Sequence, residues 1–258
     1  MKASEFCDTL IDIAVNKKTL YILGCFGAPM SNANKNRYTS NYAYNAREDR
    51  ATKIRSASAD TFGFDCICLP KGVQWGWCGD INDEYGGAKY QSNGLKDVTI
   101  EEMMASCGRV STDFTDIRRG EIVHVVTPDY NHVGIYVGGG RVVEATSRWD
   151  DGVQVTKLGN VPSDYQSDKI RTWDEHGLLP FIEYEDKTLE QLAEEVYKSV
   201  NNLVKAALSG DYKTNEQIAM EVINGKWGNG EARKIALTNA GYNYTEIQHL
   251  VNKIVNGK

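Results

Sequence analysis

The stretch from residue 120 to residue 158 leaves this chain few folds to choose from. Four short segments rich in β-branched residues, GEIVHVV, HVGIYV, RVVEAT and GVQVTKL, are punctuated by Gly, Pro and Asp. Segments of that length and texture predict an antiparallel meander. The glycines at 138–140 fit a hairpin turn; no helix with a Lys-Ser/Thr pair follows to make them a phosphate cradle. Alternation places His132, Gly134 and Tyr136 on one strand face and Val133, Ile135 and Val137 on the other. A three-residue loop over 137–139 sets Tyr136 opposite Gly140 and His132 opposite Glu144, with Cβ atoms about 4.5–5.5 Å apart. A two-residue loop turns Glu144 to the other face. The absent side chain of Gly134 leaves room beside His132 for an incoming chain.

Around this meander the chain predicts an α+β domain over residues 1–182. Residues 1–18 form an amphipathic helix, TLYILGCFG a short apolar run ending in glycine, and the Asn- and Tyr-rich segment 31–60 a long loop or insertion. The domain boundary falls between Phe181 and Lys187. Residues 183–212 read as a helical linker, with Leu189, Leu192, Val196, Val200, Leu203 and Ala207 on one stripe of a charged helix. Residues 213–258 read as three short helices. T-x-x-Q patterns at Thr188–Gln191, Thr214–Gln217 and Thr245–Gln248 fit capping boxes. KTLEQLAEEV and KTNEQIAMEV also align over ten positions. Either an internal repeat has kept only its first helix upstream, or two capped amphipathic helices have converged.

Composition closes off several classes. With a net charge of −6 and no Lys/Arg cluster, nucleic-acid binding is not expected. No apolar run approaches the ~20 residues of a membrane span. Glu5, Asp8 and Asp12 interrupt the segment where a signal peptide needs an apolar core, so synthesis and retention in the cytoplasm are expected. The six cysteines are then reduced thiols rather than three bridges.

One of these thiols stands out, in TFGFDCICLP. A nucleophilic cysteine needs thiolate character, which a helix N-terminus promotes. Asp65 is the candidate N-cap, Cys66 lies in the first turn of the expected helix, and Pro70 is tolerated only if that helix starts near Cys66. Cys68 reads as a small buried residue. A base is drawn from His124, His132, His176 and His249, and His132 has a carboxylate on its own face. Zinc does not suit the set: Cys66-x-Cys68 is too closely spaced, and no His-x₃₋₅-His occurs.

FDCICL followed by GEIVHVV…HVGIYVGGGRVVEA resembles the NlpC family of papain-like cysteine peptidases over roughly residues 10–160. YILGCFG is similar to the family's Tyr-x-x-Gly segment, set unusually far from Cys66. The resemblance implies a papain-like fold with Cys66 as nucleophile, His132 as base and Glu144 in the third, orienting position, which is often His, Asn or Gln in relatives. It also puts Tyr21, Asp65, Trp75 and Trp77 on the substrate side, with Tyr85 completing an aromatic cluster along the groove.

EQIAMEVINGKWGNGEARKIALTNAGYNYTEIQHLVNKI resembles a short cell-wall-binding repeat named for a pneumococcal phage lysozyme, the Cpl-seven type. Trp227, Arg233, Gly241 and Tyr242 are the implied wall contacts: aromatic platforms and a planar donor suit a glycan. Trp227 and Tyr242 serve equally well as the core of a small bundle. Six basic against four acidic residues make 213–258 mildly cationic. So small a module buries little core, so packing against the 188–208 helix or self-association is expected.

The two resemblances together imply a peptidoglycan hydrolase of the phage endolysin kind, needing no cofactor or metal. Such a protein is made in the host cytoplasm and reaches the wall through a separately made membrane hole. Endopeptidase action within the stem peptide is the first reading and N-acetylmuramoyl-L-alanine amidase action the second. An acyltransferase and a non-catalytic wall binder are the alternatives from other classes.

Overall fold

The first helix, α1 (Ala3–Asn16), buries Phe6, Cys7, Leu10 and Ile13, one apolar stripe at helical spacing. The expected meander lies beneath it as β5 (Ile122–Thr127), β6 (Tyr130–Gly138), β7 (Arg141–Thr146) and β8 (Gly152–Leu158). The computed structural model of the chain describes residues 1–127, 130–184, 197 and 213–256. It is a mixed α and β protein that divides into two compact units, Met1–Glu185 and Asp186–Lys258.

The apolar run after α1 splits into two strands, β1 (Thr19–Tyr21) and β2 (Phe26–Pro29), which flank β3 (Phe62–Phe64) in a three-stranded sheet. The segment expected to be a loop is instead helical: α2 (Asn32–Asn41), α3 (Ala43–Ala46) and α4 (Glu48–Ser56). Its polar residues replace the missing apolar stripe. Buried Asn45 bonds the Leu23 amide and carbonyl, and buried Arg50 reaches the Asp151 carboxylate at 2.6 Å and the Tyr21 carbonyl. Tyr38 and Ile54 complete a small core with Ile22, Cys25 and Met30.

Beyond β3 come α5 (Cys68–Gln74), α6 (Ile100–Ser106) and β4 (Gly108–Ser111), and after β8 the short β9 (Ile170–Arg171) and β10 (Glu175–Leu178). The large sheet runs β4-β10-β5-β6-β7-β8-β9, and only its β8–β9 pair is parallel. Val133, Ile135, Val137, Val143 and Ala145 on one face pack into the main core with Leu10, Leu69 and Val73. The other face buries Val123, Val142 and Leu158 against Trp173 and Phe114.

In the second unit, α7 (Asn215–Ile223), α8 (Gly230–Asn239) and α9 (Tyr244–Asn256) are the three expected helices. Their core is Ile218, Ala219, Val222, Leu237, Ile247 and Val251. The capping box at Thr214–Gln217 is formed in both directions. The one expected at Thr245 is not: Asn243 Oδ1 accepts from the Thr245 and Glu246 amides instead, so the cap lies two residues earlier. The Thr188–Gln191 box and, apart from Tyr197, the helix expected over 188–208 fall outside the described residues.

Candidate active site

His132 and Glu144 meet as expected, but through a different register. The turn is the two-residue Gly139–Gly140, closed by Gly138 opposite Arg141, while further along Tyr136 faces Val142 and Ile135 faces Val143. Val137 is the extra residue of a bulge between those pairs, and it restores the parity that a two-residue loop alone removes. Glycine at 138, 139 and 140 permits the turn, since all three have positive φ. His132 and Glu144 are therefore diagonal neighbours on one face rather than direct partners. Gly134, between them and Tyr136, does not open space for a substrate. A Cβ there would sit 2.6 Å from Val142 and 3.0 Å from Trp173, so its missing side chain is filled by core.

Glu144 is wholly buried and fully engaged. One oxygen accepts from His132 Nε2 at 2.7 Å and from Arg171 Nε at 3.0 Å; the other accepts from Thr156 Oγ1 at 2.6 Å. A carboxylate only accepts, so Nε2 carries the ring proton and Nδ1 holds the free lone pair. Burial raises the Glu144 carboxyl, but His132, Arg171 and Thr156 outweigh it and hold the group below its usual range. For His132 burial dominates and lowers the ring, with Glu144 opposing. Tyr130 and Trp173 both stack on the imidazole, with centroids 5.4 and 5.7 Å away.

Cys66 lies in the turn between β3 and α5. Its sulfur accepts from the amide of Val133, the residue next to His132, and from the amides of Ile67 and Cys66 itself. Burial pushes the thiol up to about 12, Asp65 pushes in the same direction, and the amides only moderate the rise. That corrects the expected lowering. Two features account for it: the helix proper opens at Cys68, with Ile67 as its N-cap residue, and a carboxylate adjoins the sulfur.

Asp65 does cap the incoming turn. Its carboxylate oxygens accept from the Cys68 amide at 2.6 Å and the Gly24 amide at 2.7 Å. Both oxygens bond backbone, which gives Asp65 the part of a structural cap. Trp75 and Trp77 are likewise core residues, 1 % and 6 % exposed, with their indole N–H groups given to the Leu95 and Gly27 carbonyls. Tyr85 stacks on Phe26. Tyr21 alone of the four expected substrate contacts keeps a half-buried position beside Cys66, whose charge, after burial, raises the Tyr21 phenol.

Sequence reasoning missed Arg171, Thr156, Tyr130 and Trp173. Thr156 had a signal: it lies on β8 opposite Val142 and shares a face with Glu144 by alternation. Two of the other three histidines are occupied elsewhere. His124 bonds Glu175 and Asn131, and His176 bonds Glu121 and the Asp113 carbonyl.

In the second unit Trp227 and Tyr242 pack edge to face, 6.0 Å apart and partly buried against the helical core. Trp227 Nε1 donates to Glu221. Gly241, at φ +84°, ends α8 with its amide on the Thr238 carbonyl, a conformation that favours glycine there. Arg233 bonds the Gly228 carbonyl, Asn229 and Gln248 near the surface.

Residues 216–255 match the CW_7 repeat. The chain is also similar to the lysozyme of Streptococcus phage Cp-7, 37 % identical over 87 residues, which is 34 % of this chain and 22 % of the relative. The chain thus spans about a fifth of that lysozyme's length. No helix among the described residues is long and apolar enough to cross a membrane.

Proposed function

We propose that the protein is a peptidoglycan hydrolase of the phage endolysin type, with an NlpC-like, papain-like cysteine peptidase domain and a wall-binding CW_7 repeat. The observation that carries this reading is a buried His132–Glu144 pair one residue from the amide that holds the Cys66 sulfur, in a chain with that repeat. The similarity to a phage lysozyme supports a wall substrate.

In this mechanism thiol and imidazole are both neutral at rest. As the sulfur closes on an amide carbonyl of the stem peptide, Nδ1 of His132 takes its proton, and Glu144 holds Nε2–H and steadies the imidazolium that forms. The carbonyl oxygen becomes an oxyanion, served by backbone N–H groups in the turn around Cys66. His132 then passes the proton to the leaving amine, and water, deprotonated by the same ring, releases the acyl group from sulfur. Endopeptidase action within the stem is the favoured reaction.

The test adds wild type and Cys66→Ala to Gram-positive walls, follows turbidity and identifies new termini by mass spectrometry. Clearing by wild type alone assigns the nucleophile. A free amine within the stem supports the endopeptidase; a stem released at L-Ala assigns an amidase instead. Clearing by Cys66→Ala overturns the mechanism, and binding without clearing by both proteins makes the chain a wall binder.

A further inference from the structure

Arg171 takes no step in the reaction above, yet its guanidinium is buried against the carboxylate that orients the base. It is 7 % exposed, with Nε 3.0 Å and Nη2 2.9 Å from the same Glu144 oxygen that His132 bonds. Its central carbon stands 5.6 Å from the ring centroid of Tyr130, 5.2 Å from Trp149 and 5.4 Å from Trp173. Tyr130 and Trp173 are also the rings stacked on His132, so one aromatic wall houses both side chains. The backbone fixes its place: Arg171 pairs with Leu158 on β8, and its carbonyl accepts from the Gly159 amide at 2.8 Å.

His132 is stacked between Tyr130 of β6 and Trp173, bonded to Glu144 of β7, and reached by the charges of Arg171 on β9 and Asp65 in the turn before α5. Glu144 and Asp65 both favour the protonated ring; Arg171 opposes them. A carboxylate 2.7 Å from a buried imidazole, left to itself, stabilises the imidazolium strongly. Beside a neutral thiol, a ring that already holds its proton cannot take another.

Resting on the hydrolase reading, we infer that Arg171 is a positioning residue that cancels the charge of Glu144, so that His132 receives an oriented acceptor without a field that protonates it. The pair does the work of a neutral hydrogen-bond acceptor, built from two opposite charges.

The test is a ¹⁵N NMR titration of the His132 ring in the full-length chain, its signal assigned by its loss in His132→Asn. Arg171→Met is expected to raise the His132 pKa by about one unit or more, and Glu144→Gln to lower it. The double variant should return to within about half a unit of wild type. The acid limb of wall clearing should move upward with the titration in Arg171→Met. An Arg171 that only fills space predicts no titration shift in folded Arg171→Met, and that result overturns the inference. Should Arg171→Met fail to fold, the double variant, which buries neither charge, decides alone: a His132 pKa more than about one unit from wild type overturns it. Clearing by Cys66→Ala, scored in parallel, tests the hydrolase reading by itself, because the ring titration needs no activity.

Discussion

Glu144 Oε2 lies 2.7 Å from His132 Nε2 although the two residues are not cross-strand partners. The contact is diagonal, and it depends on one extra residue, Val137, between the Tyr136 and Gly138 pairings. A carboxylate in this position does three things at once: it fixes the imidazole tautomer, accepts from Thr156 and neutralises Arg171.

Because of the last of these, removing the carboxylate is expected to unsettle the fold before it unsettles the chemistry. Glu144→Ala leaves the Arg171 cation buried and unpaired, a loss on the order of 3–5 kcal/mol. Glu144→Gln retains an acceptor and should lose less than half of that. Urea unfolding of both variants checks the order; equal losses would show that the lost charge, and not the lost acceptor, sets the whole cost.

Stability should fall on acidification in two steps. The unfolded chain protonates His132 near the ordinary 6.5, while burial keeps the folded ring neutral to lower pH. Below 6.5 the unfolded state therefore binds more protons, and stability declines as pH falls. Glu144, held below its ordinary 4.5 in the fold, contributes stability that is present above 4.5 and lost as pH falls through its folded value. Thermal melts from pH 8 to 3 should show both steps, and His132→Asn should flatten the first.

A thiol pushed up to about 12 is almost wholly protonated at pH 8. Cys66 should therefore react with iodoacetamide at least about 100-fold more slowly than exposed Cys78 in the native chain, and at the same rate in urea. Peptide mapping over time reads both rates. Faster labelling at Cys66 near neutral pH would mean that sulfur and imidazole rest as an ion pair.

Gly134→Ala places a methyl 2.6 Å from Val142 and 3.0 Å from Trp173. Overpacking of this kind costs about 1–3 kcal/mol. Trp173 must also move off the His132 ring, so its near-UV circular dichroism should change together with the melting temperature. An unchanged melt would show that Val142 and Trp173 give way at no cost, and would overturn the tight packing at Gly134.

Much of this site was legible before the fold was. Alternation put His132 and Glu144 on one face, and the meander, the first helix and the three C-terminal helices followed from periodicity. The bulge was not legible, because three glycines in a row accept several turn lengths. Arg171 was hidden for another reason: it reaches Glu144 through β9, a two-residue strand whose parallel pairing with β8 no local pattern announces. The helices of 32–56 were missed because their buried side chains include Asn34, Asn45 and Arg50, which look exposed until their partners are known. The tryptophans misled in the opposite sense, since aromatic residues just downstream of Cys66 are as suited to core as to groove.

That ambiguity also governs the second unit, where two residues of similar implied role should separate. Trp227 packs on Tyr242 and donates to Glu221, so Trp227→Ala should remove about 3–5 kcal/mol and abolish wall binding by unfolding the helices. Among the described residues, Arg233 bonds the Gly228 carbonyl, Asn229 and Gln248. Arg233→Ala should leave the unfolding free energy, followed by helical circular dichroism, within about 0.5 kcal/mol of wild type, as surface changes usually do, while lowering sedimentation with purified walls several-fold. If Arg233→Ala sediments as wild type does, the guanidinium is a bracket for the Gly228 turn, and the wall contact must lie on another face of the bundle.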